Sequence, residues 1–415
     1  MGLISTKRLC LMVGNIHINS NMNKQQRCLI CKTNVSKQHF FYSGLCVKCG
    51  DLNYIKRNQT ADLQGLFALV TGARVNIGYA VVLKLLRAGA SVIATTRFPH
   101  DAASRYAKES DFYDWKHRLH IYGLDLRHLV SVEQFTQHLI NFYARLDIII
   151  NNAAQTIRRP AAFYRHLIEC ESLGLSQLPE EIQPLVVRSH NLSLGSFFDK
   201  NYLKTSGDEA NAIVISRLNE GEPYSSLLPP DCEDDEAFFP LGMYAEDGQQ
   251  LDLRPFNSWL MKDDEVSILE LLEVHVINAI SPFIINSRLK RLMNSYPEQS
   301  KYIVNVSSME GRFNGVDKPW RHPHTNMAKA ALNQMTRTCA KEYAKYNIFI
   351  NGVDPGWISV LHPYPMAKKQ QECGNKPPFD AIDAAARICD PIYVGLNEGR
   401  NPFGKLFKDY VETEW

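Results

Sequence analysis

The chain has 415 residues, 22% of them charged and 45% hydrophobic, with a formal net charge of +2 at pH 7. That length accommodates one large α/β domain plus additions, and the near-neutral balance gives no whole-chain attraction to nucleic acid or another acidic polymer. No uninterrupted apolar run reaches the ~18 residues of a membrane-crossing helix, so no transmembrane segment is expected.

The first fifty residues contain several Lys and Arg but no Asp or Glu. Residues 1–25 read as a basic extension. Within it, the acid-poor stretch 1–22 fits a mitochondrial transit peptide, an unstructured extension, or a leader upstream of a start at Met22. Leu9 to Val13 is too short for a signal-peptide core. Residues 26–52 read as a separate module with two Cys-x-x-Cys knuckles, Cys28/Cys31 and Cys46/Cys49. Four thiolates so spaced can surround Zn²⁺ tetrahedrally with no open position, the mark of a structural zinc ribbon. The remaining six of the ten cysteines are scattered, so the pattern indicates a reducing compartment: the cytoplasm, with the mitochondrion as the alternative. The module is basic but carries few Lys and Arg, which favours protein or intramolecular docking over nucleic acid.

From Leu66 onward the pattern is that of an α/β, doubly wound parallel sheet, with short apolar strands alternating with amphipathic helices. Strands are predicted over Leu66–Val70, Ser91–Thr95, Leu119–Leu124 and Leu146–Ile150, with a helix from Asn76 to Ala88. The alternation runs through residues 62–155 and then breaks. Residues 156–265 read as a long acidic insertion with a helix over Ala162–Glu171 and a strand over Ile213–Ser216. From Glu169 to Asp252 there are roughly four acids for every base, including the run Asp231 to Glu236; a solvated surface loop is the simplest reading of that run. The α/β pattern resumes over 266–415. Helices are predicted over Leu269–Ala279 and Asn326–Tyr343, and strands over Tyr302–Val306 and Ile348–Val353.

Between the first strand and its helix lies Thr71-Gly72-Ala73-Arg74-Val75-Asn76-Ile77-Gly78. A glycine loop in this position lets backbone N–H groups and a helix N-terminus approach a pyrophosphate. Asn76 stands in place of the middle glycine of such loops, and asparagine is among the few residues that tolerate a left-handed backbone, so the turn could survive; its amide could also donate to a phosphate. A plain strand–helix turn is the competing reading. The second strand ends in Thr96 and Arg97. NAD-binding sites place a carboxylate there for the ribose 2′-hydroxyl, whereas a hydroxyl with the guanidiniums of Arg97 and Arg74 would attract a 2′-phosphate. NADP(H) is therefore favoured over NAD(H).

Further along come Asp125 after the third strand, Asn151-Asn152-Ala153-Ala154 closing the fourth, Ser307-Ser308 after Val306, and Asp354-Pro355-Gly356-Trp357 after the last. With the glycine loop, and with Lys329 four residues after Thr325, these features resemble the short-chain dehydrogenase/reductase family over about 62–155 and 266–415. The resemblance implies a Rossmann fold. It also implies adenine contact by Asp125, and a cofactor lying along Asn152, Ala153 and Ala154 and reaching Pro355 and Gly356. A small-molecule carbonyl or alcohol substrate and a homo-oligomer formed through the helices near Leu269 and Asn326 are implied as well. Carried over residue by residue, Ser308 matches the serine that steadies the substrate oxygen, Asn278 the asparagine of the proton relay, and Lys329 the lysine that binds the nicotinamide ribose.

Thr325 falls where the family has its proton-donating tyrosine. A phenol titrates near 10 and a neighbouring ammonium can lower that, whereas an aliphatic hydroxyl is far too weak an acid and a ring shorter. Loss of a positioned general acid costs about 10²–10⁴ in rate. Three substitutes are open: a water between Thr325 and Lys329, the imidazole of His322 or His324, or the Tyr364 phenol. The sequence therefore supports an NADP(H)-dependent oxidoreductase with an altered proton-transfer site. A catalytically weak nucleotide-binding sensor or scaffold, recruiting partners through the ribbon or the insertion, is the alternative.

Overall fold

The computed structural model describes residues 26–187, 236–314, 318 and 320–415. The basic extension, the strand read at Ile213–Ser216 and all of the acid run except Glu236 lie outside them. The chain divides into two compact units, one ending at Leu52 and one beginning at Asn53.

In the first unit the two knuckles are brought together, Cys28 and Cys31 from a tight turn and Cys46 and Cys49 from the start of helix α1 (Val47–Asn58). This helix was not legible in the sequence. His39 is buried, and its Nδ1 accepts from the backbone N–H groups of Phe41 and Tyr42 at 3.1 and 3.2 Å.

In the second unit, eight strands among the described residues form one sheet in the order β3-β2-β1-β4-β5-β6-β7-β8. They are β1 (Phe67–Thr71), β2 (Ser91–Thr96), β3 (Leu119–Gly123), β4 (Ile148–Asn151), β5 (Lys301–Val306), β6 (Ile348–Asp354), β7 (Leu406–Lys408) and β8 (Val411–Thr413). Every neighbouring pair is parallel except β7 with β8. Alternate strand residues enter two separate cores, as a pleated sheet covered on both faces requires. Ala68, Val70, Val92, Ile148, Ile150 and Val304 enter one core, and Leu69, Ile93, Ile149, Ile303 and Ile350 the other. The doubly wound parallel sheet predicted from the alternation is present, with strand limits shifted by a residue or two at several ends.

The chain runs outward from β1 through β2 to β3, then returns to place β4 on the other side of β1. That reversal opens a crevice at the carboxyl ends of β1 and β4, where open α/β sheets bind ligands. Helix α2 (Asn76–Arg87) leaves β1 at this point, and α3 (Pro99–Tyr106) follows β2.

Later helices depart from expectation. The one predicted over Leu269–Ala279 continues to Met293, as Ile268–His275, a π-helical turn Val276–Ile280 and Ser281–Met293. By length and composition the 268–293 span could cross a membrane, but half of its apolar window is buried inside the fold, which makes it a core helix. The helix predicted to begin at Asn326 begins at Pro323 and runs to Ala344. A long helix, Ala381–Glu398, and the β7–β8 hairpin complete the sheet side; neither was read from the sequence. Of the insertion, the Ala161–Tyr164 turn and the helix Arg165–Ser172 are described. Val186 forms a parallel bridge to Ile121 on the outer edge of β3.

Candidate active site

The glycine loop is held against the end of β4 by side chains from both strands. The Thr71 hydroxyl accepts from the N–H groups of Asn152 and Ala153 at 3.1 and 3.0 Å. The Asn152 amide donates back to the carbonyls of Thr71 and Gly72 at 3.0 and 3.1 Å. Gly72 has φ +68°, and a Cβ there would lie 2.8 Å from Ala153 Cα. At Gly78 a Cβ would lie 2.1 Å from the Gly72 carbonyl oxygen. Both glycines are therefore sterically required. Asn76 adopts φ +52°, a left-handed backbone that asparagine tolerates. Val75 supplies no side-chain cap to α2, so the helix N-terminus beginning at Asn76, Ile77 and Gly78 keeps N–H groups for an anion.

The polar side chains expected to face the cofactor are committed within the protein. Arg74 is buried; its guanidinium lies 2.8 Å from Asp101 and also donates to Gln249 at 3.3 Å. The Asn76 amide donates to Asp247 of the insertion at 3.0 Å. Asp125 is gripped by Arg127, whose Nη2 lies 2.7 Å away; burial opposes ionisation there, but the Arg127 charge prevails and holds the carboxyl at about 2. The Thr96 hydroxyl accepts from the Phe98 N–H at 3.1 Å.

Arg97 lies over the ring of Tyr164, 4.5 Å from its centroid, and Tyr164 stacks on Phe98. Burial alone would raise the Tyr164 phenol, but Arg97, together with Arg127 and Arg159, brings it below its ordinary range. Sequence reasoning missed Tyr164, an insertion residue placed beside the end of β2. The pair Arg158-Arg159 just after β4 was the available signal. Arg158 and Arg127 both reach Glu273, at 2.9 and 3.3 Å, and Arg159 and Arg254 both pair with Asp252.

On the other side of the crevice, β5 ends at Val306 and the chain continues through Ser307 and Ser308. The buried Ser307 hydroxyl donates to Asn333 at 2.5 Å, while Ser308 is half-buried. The turn Met309–Gly311 presses on the long helix so closely that a Cβ on Gly311 would lie 2.6 Å from the Lys329 carbonyl carbon. Lys329 is buried, and its Nζ donates to the Val306 carbonyl at 2.8 Å. Burial pushes its ammonium down to about 8, against the opposing pull of Asp354. Asp354 accepts from Met309 N–H and Gly356 N–H at 2.9 and 2.7 Å, joining the loops after β5 and β6. Pro355 is buried between them.

Thr325 is buried, and its hydroxyl lacks a hydrogen-bond partner among the described residues. His322 stacks on Trp259 at 3.8 Å; burial, with His324 adding to it, lowers its imidazole to about 4. His324 is buried with its Nε2 3.5 Å from Glu270. Tyr364 is 39% exposed at the start of a surface helix. Asn278 lies within the π-helical turn, a distortion frequent at functional sites. Its side chain pairs in both directions with the Gln155 backbone, at 2.8 and 2.9 Å, and so ties the exit of β4 to this helix.

In the first unit, the four cysteine sulfurs lie within 4.8 Å of one another. A tetrahedral zinc site with Zn–S of about 2.3 Å separates its sulfurs by about 3.8 Å, and Cys31 and Cys46 are 3.7 Å apart. The cluster fits a zinc-ribbon-like, metal-binding module, although its second pair is carried by a helix.

The short chain dehydrogenase family profile matches residues 66–168, and one described as Enoyl-(Acyl carrier protein) reductase matches residues 261–377. The gap between them falls inside the insertion. Over 400 residues the chain is 31% identical to an uncharacterised protein of Acanthamoeba polyphaga mimivirus, covering 92% of this chain and 76% of that one. It is 21% identical to carbonyl reductase (NADPH) 1 of Sus scrofa, covering 84% and 93%. In fold it is similar to a short chain dehydrogenase from Burkholderia cenocepacia J2315 in complex with NADP, with TM-score 0.50 and 16% identity over 83% of this chain and 96% of that one. The chain belongs to the short-chain dehydrogenase/reductase family.

Proposed function

We propose that the protein is an NADP(H)-dependent oxidoreductase that interconverts a small-molecule carbonyl and alcohol, with Lys329 taking over the acid role of the missing tyrosine. The observation that carries this reading is the burial of the Lys329 amine at the carboxyl end of β5, where its Nζ lies 2.8 Å from the Val306 carbonyl. Burial there brings the ammonium down to about 8, close enough to neutrality for general-acid work. An ordinary lysine near 10.4 would release its proton too reluctantly. One of its three N–H groups is committed to Val306. The others can serve a ribose hydroxyl and, through the Thr325 hydroxyl or a water, the substrate oxygen. Ser308 would orient that oxygen. His322 is too weakly basic to carry the proton, and Tyr364 lies at the surface.

The cofactor would lie along the tight loop at Gly72 and Gly78, with its phosphates at the start of α2 and its nicotinamide end toward Asn152, Ala153, Ala154, Pro355 and Gly356. When bound, NADP(H) supplies the hydride. Arg97 and the adjoining arginines favour a 2′-phosphate over a free hydroxyl; the similarly folded dehydrogenase from Burkholderia cenocepacia was solved in complex with NADP. Four thiolates of the first unit would hold structural Zn²⁺. Exposed Ile268, Phe283 and Met327 suit a homo-oligomer through the helices that carry them.

The test is an NADPH fluorescence titration followed by a carbonyl panel. Turnover that disappears in Lys329→Met and falls in Ser308→Ala supports the enzyme. A second reading, a nucleotide-binding sensor, is favoured by the partnerless Thr325 hydroxyl. It predicts tight binding without turnover, and turnover gained in Thr325→Tyr.

A further inference from the structure

We infer that the insertion carries an internal anion, Asp247, that occupies the phosphate-binding end of the nucleotide cleft and must withdraw before the cofactor binds. The inference rests on the cofactor reading above.

Three groups point to it. Asn76 stands in the loop where a glycine would satisfy the backbone equally well, since its φ is +52°. A glycine has no donor, whereas the Asn76 amide donates to Asp247 Oδ2 at 3.0 Å. Arg105 on α3 donates to the main-chain carbonyls of Asp247 and Gly248 at 2.8 and 3.2 Å. Gly248 has φ +72°, a left-handed backbone that favours glycine at this point of the turn. Arg74, buried in the loop itself, reaches Gln249.

The turn 245–250 is also built to hold a carboxylate in place. It is closed by hydrogen bonds from Gly248 N–H to Ala245 and from Ala245 N–H to Gln249, both at 2.8 Å. Gln249 donates to Asp247 from its backbone and its side chain, at 3.0 and 2.7 Å. Burial would favour the protonated acid, but the Gln249 and Asn76 hydrogen bonds and the Arg74 charge hold the group below the usual carboxylate range. Asp247 therefore presents a fixed negative charge at neutral pH, at the loop where a dinucleotide presents a phosphate. The Asn76 amide cannot serve both anions with the same N–H. A closed population lowers the apparent affinity in proportion to the open fraction.

The experiment compares NADPH titrations of the full-length, zinc-loaded protein and of Asp247→Ala and Arg105→Met, two positions outside the glycine loop and away from Lys329. The expected result is about 10-fold tighter binding in both variants. In the unaltered protein, saturating NADPH should speed amide hydrogen exchange across residues 245–250; this readout needs no variant to fold. Equal or weaker binding in the variants, with exchange in the turn unchanged or slowed, overturns the gate and leaves the cofactor reading standing. Absence of binding in all three proteins overturns both.

Discussion

The buried Lys329 ammonium and the Val306 carbonyl meet at 2.8 Å. This contact fixes the amine at the carboxyl end of β5, and burial there brings it down to about 8 from an ordinary 10.5. Between those two values the unfolded chain binds more protons than the folded one, so the stability this group contributes rises with pH over that window. Lys329→Met removes the titration. Chemical denaturation should find the variant's advantage over the unaltered protein shrinking by about 3 kcal/mol between pH 7 and pH 10.5. A pH-independent difference would mean that the amine is not perturbed.

Thr325 lies one helical turn before Lys329, buried and without a hydrogen-bond partner among the described residues. Replacing a buried, unsatisfied hydroxyl with a methyl of the same shape removes a desolvation cost of about 1 kcal/mol. Thr325→Val should therefore unfold at equal or higher denaturant concentration. If the hydroxyl relays the Lys329 proton, carbonyl turnover should fall by about 10-fold or more. Stabilisation with unchanged turnover would leave the relay to water alone.

Gly78 lies where α2 crosses back over Gly72. Gly78→Ala places a methyl 2.1 Å from a carbonyl oxygen and 2.5 Å from the Asn152 amide. Overpacking against backbone costs about 3 kcal/mol, and the loop must open to relieve it. A lowered melting temperature together with loss of NADPH binding is expected. Full affinity in this variant would show that the loop geometry is irrelevant to the nucleotide.

The Cys28, Cys31, Cys46 and Cys49 cluster should carry one zinc ion per chain, detectable by elemental analysis. Chelation, or Cys49→Ser, should unfold the first unit, because a module of this size lacks a sufficient apolar core of its own. Circular dichroism should nevertheless retain the signal of the large sheet. Metal-free protein with a protease-resistant first unit would rule out the structural role.

Much of this was legible before the fold was. The apolar runs of β1 to β6 are short and continuous because both sheet faces are covered, and the glycine loop and the Asn151–Ala154 string follow strands as their chemistry requires. The small β7–β8 hairpin was not legible, since Leu406–Lys408 and Val411–Thr413 are too short to show a period. The partners of Arg74 and Asn76 were not legible either. Asp101, Asp247 and Gln249 reach them across 27 to 175 residues of sequence, and a charge pattern says nothing about which distant carboxylate will arrive. The same limit hid Tyr164, which reads as an ordinary aromatic of the predicted 162–171 helix until it is placed beside Arg97.

On the reading proposed above, the β1–β4 crevice holds a phosphorylated nicotinamide dinucleotide. The most direct measurement is equilibrium titration of the purified, zinc-loaded protein with NADPH and with NADH, followed by nucleotide fluorescence. Saturable binding of both is expected, with NADPH at least 10-fold tighter because Arg97 and its neighbours meet the additional phosphate. Absence of saturable binding by either nucleotide would contradict it.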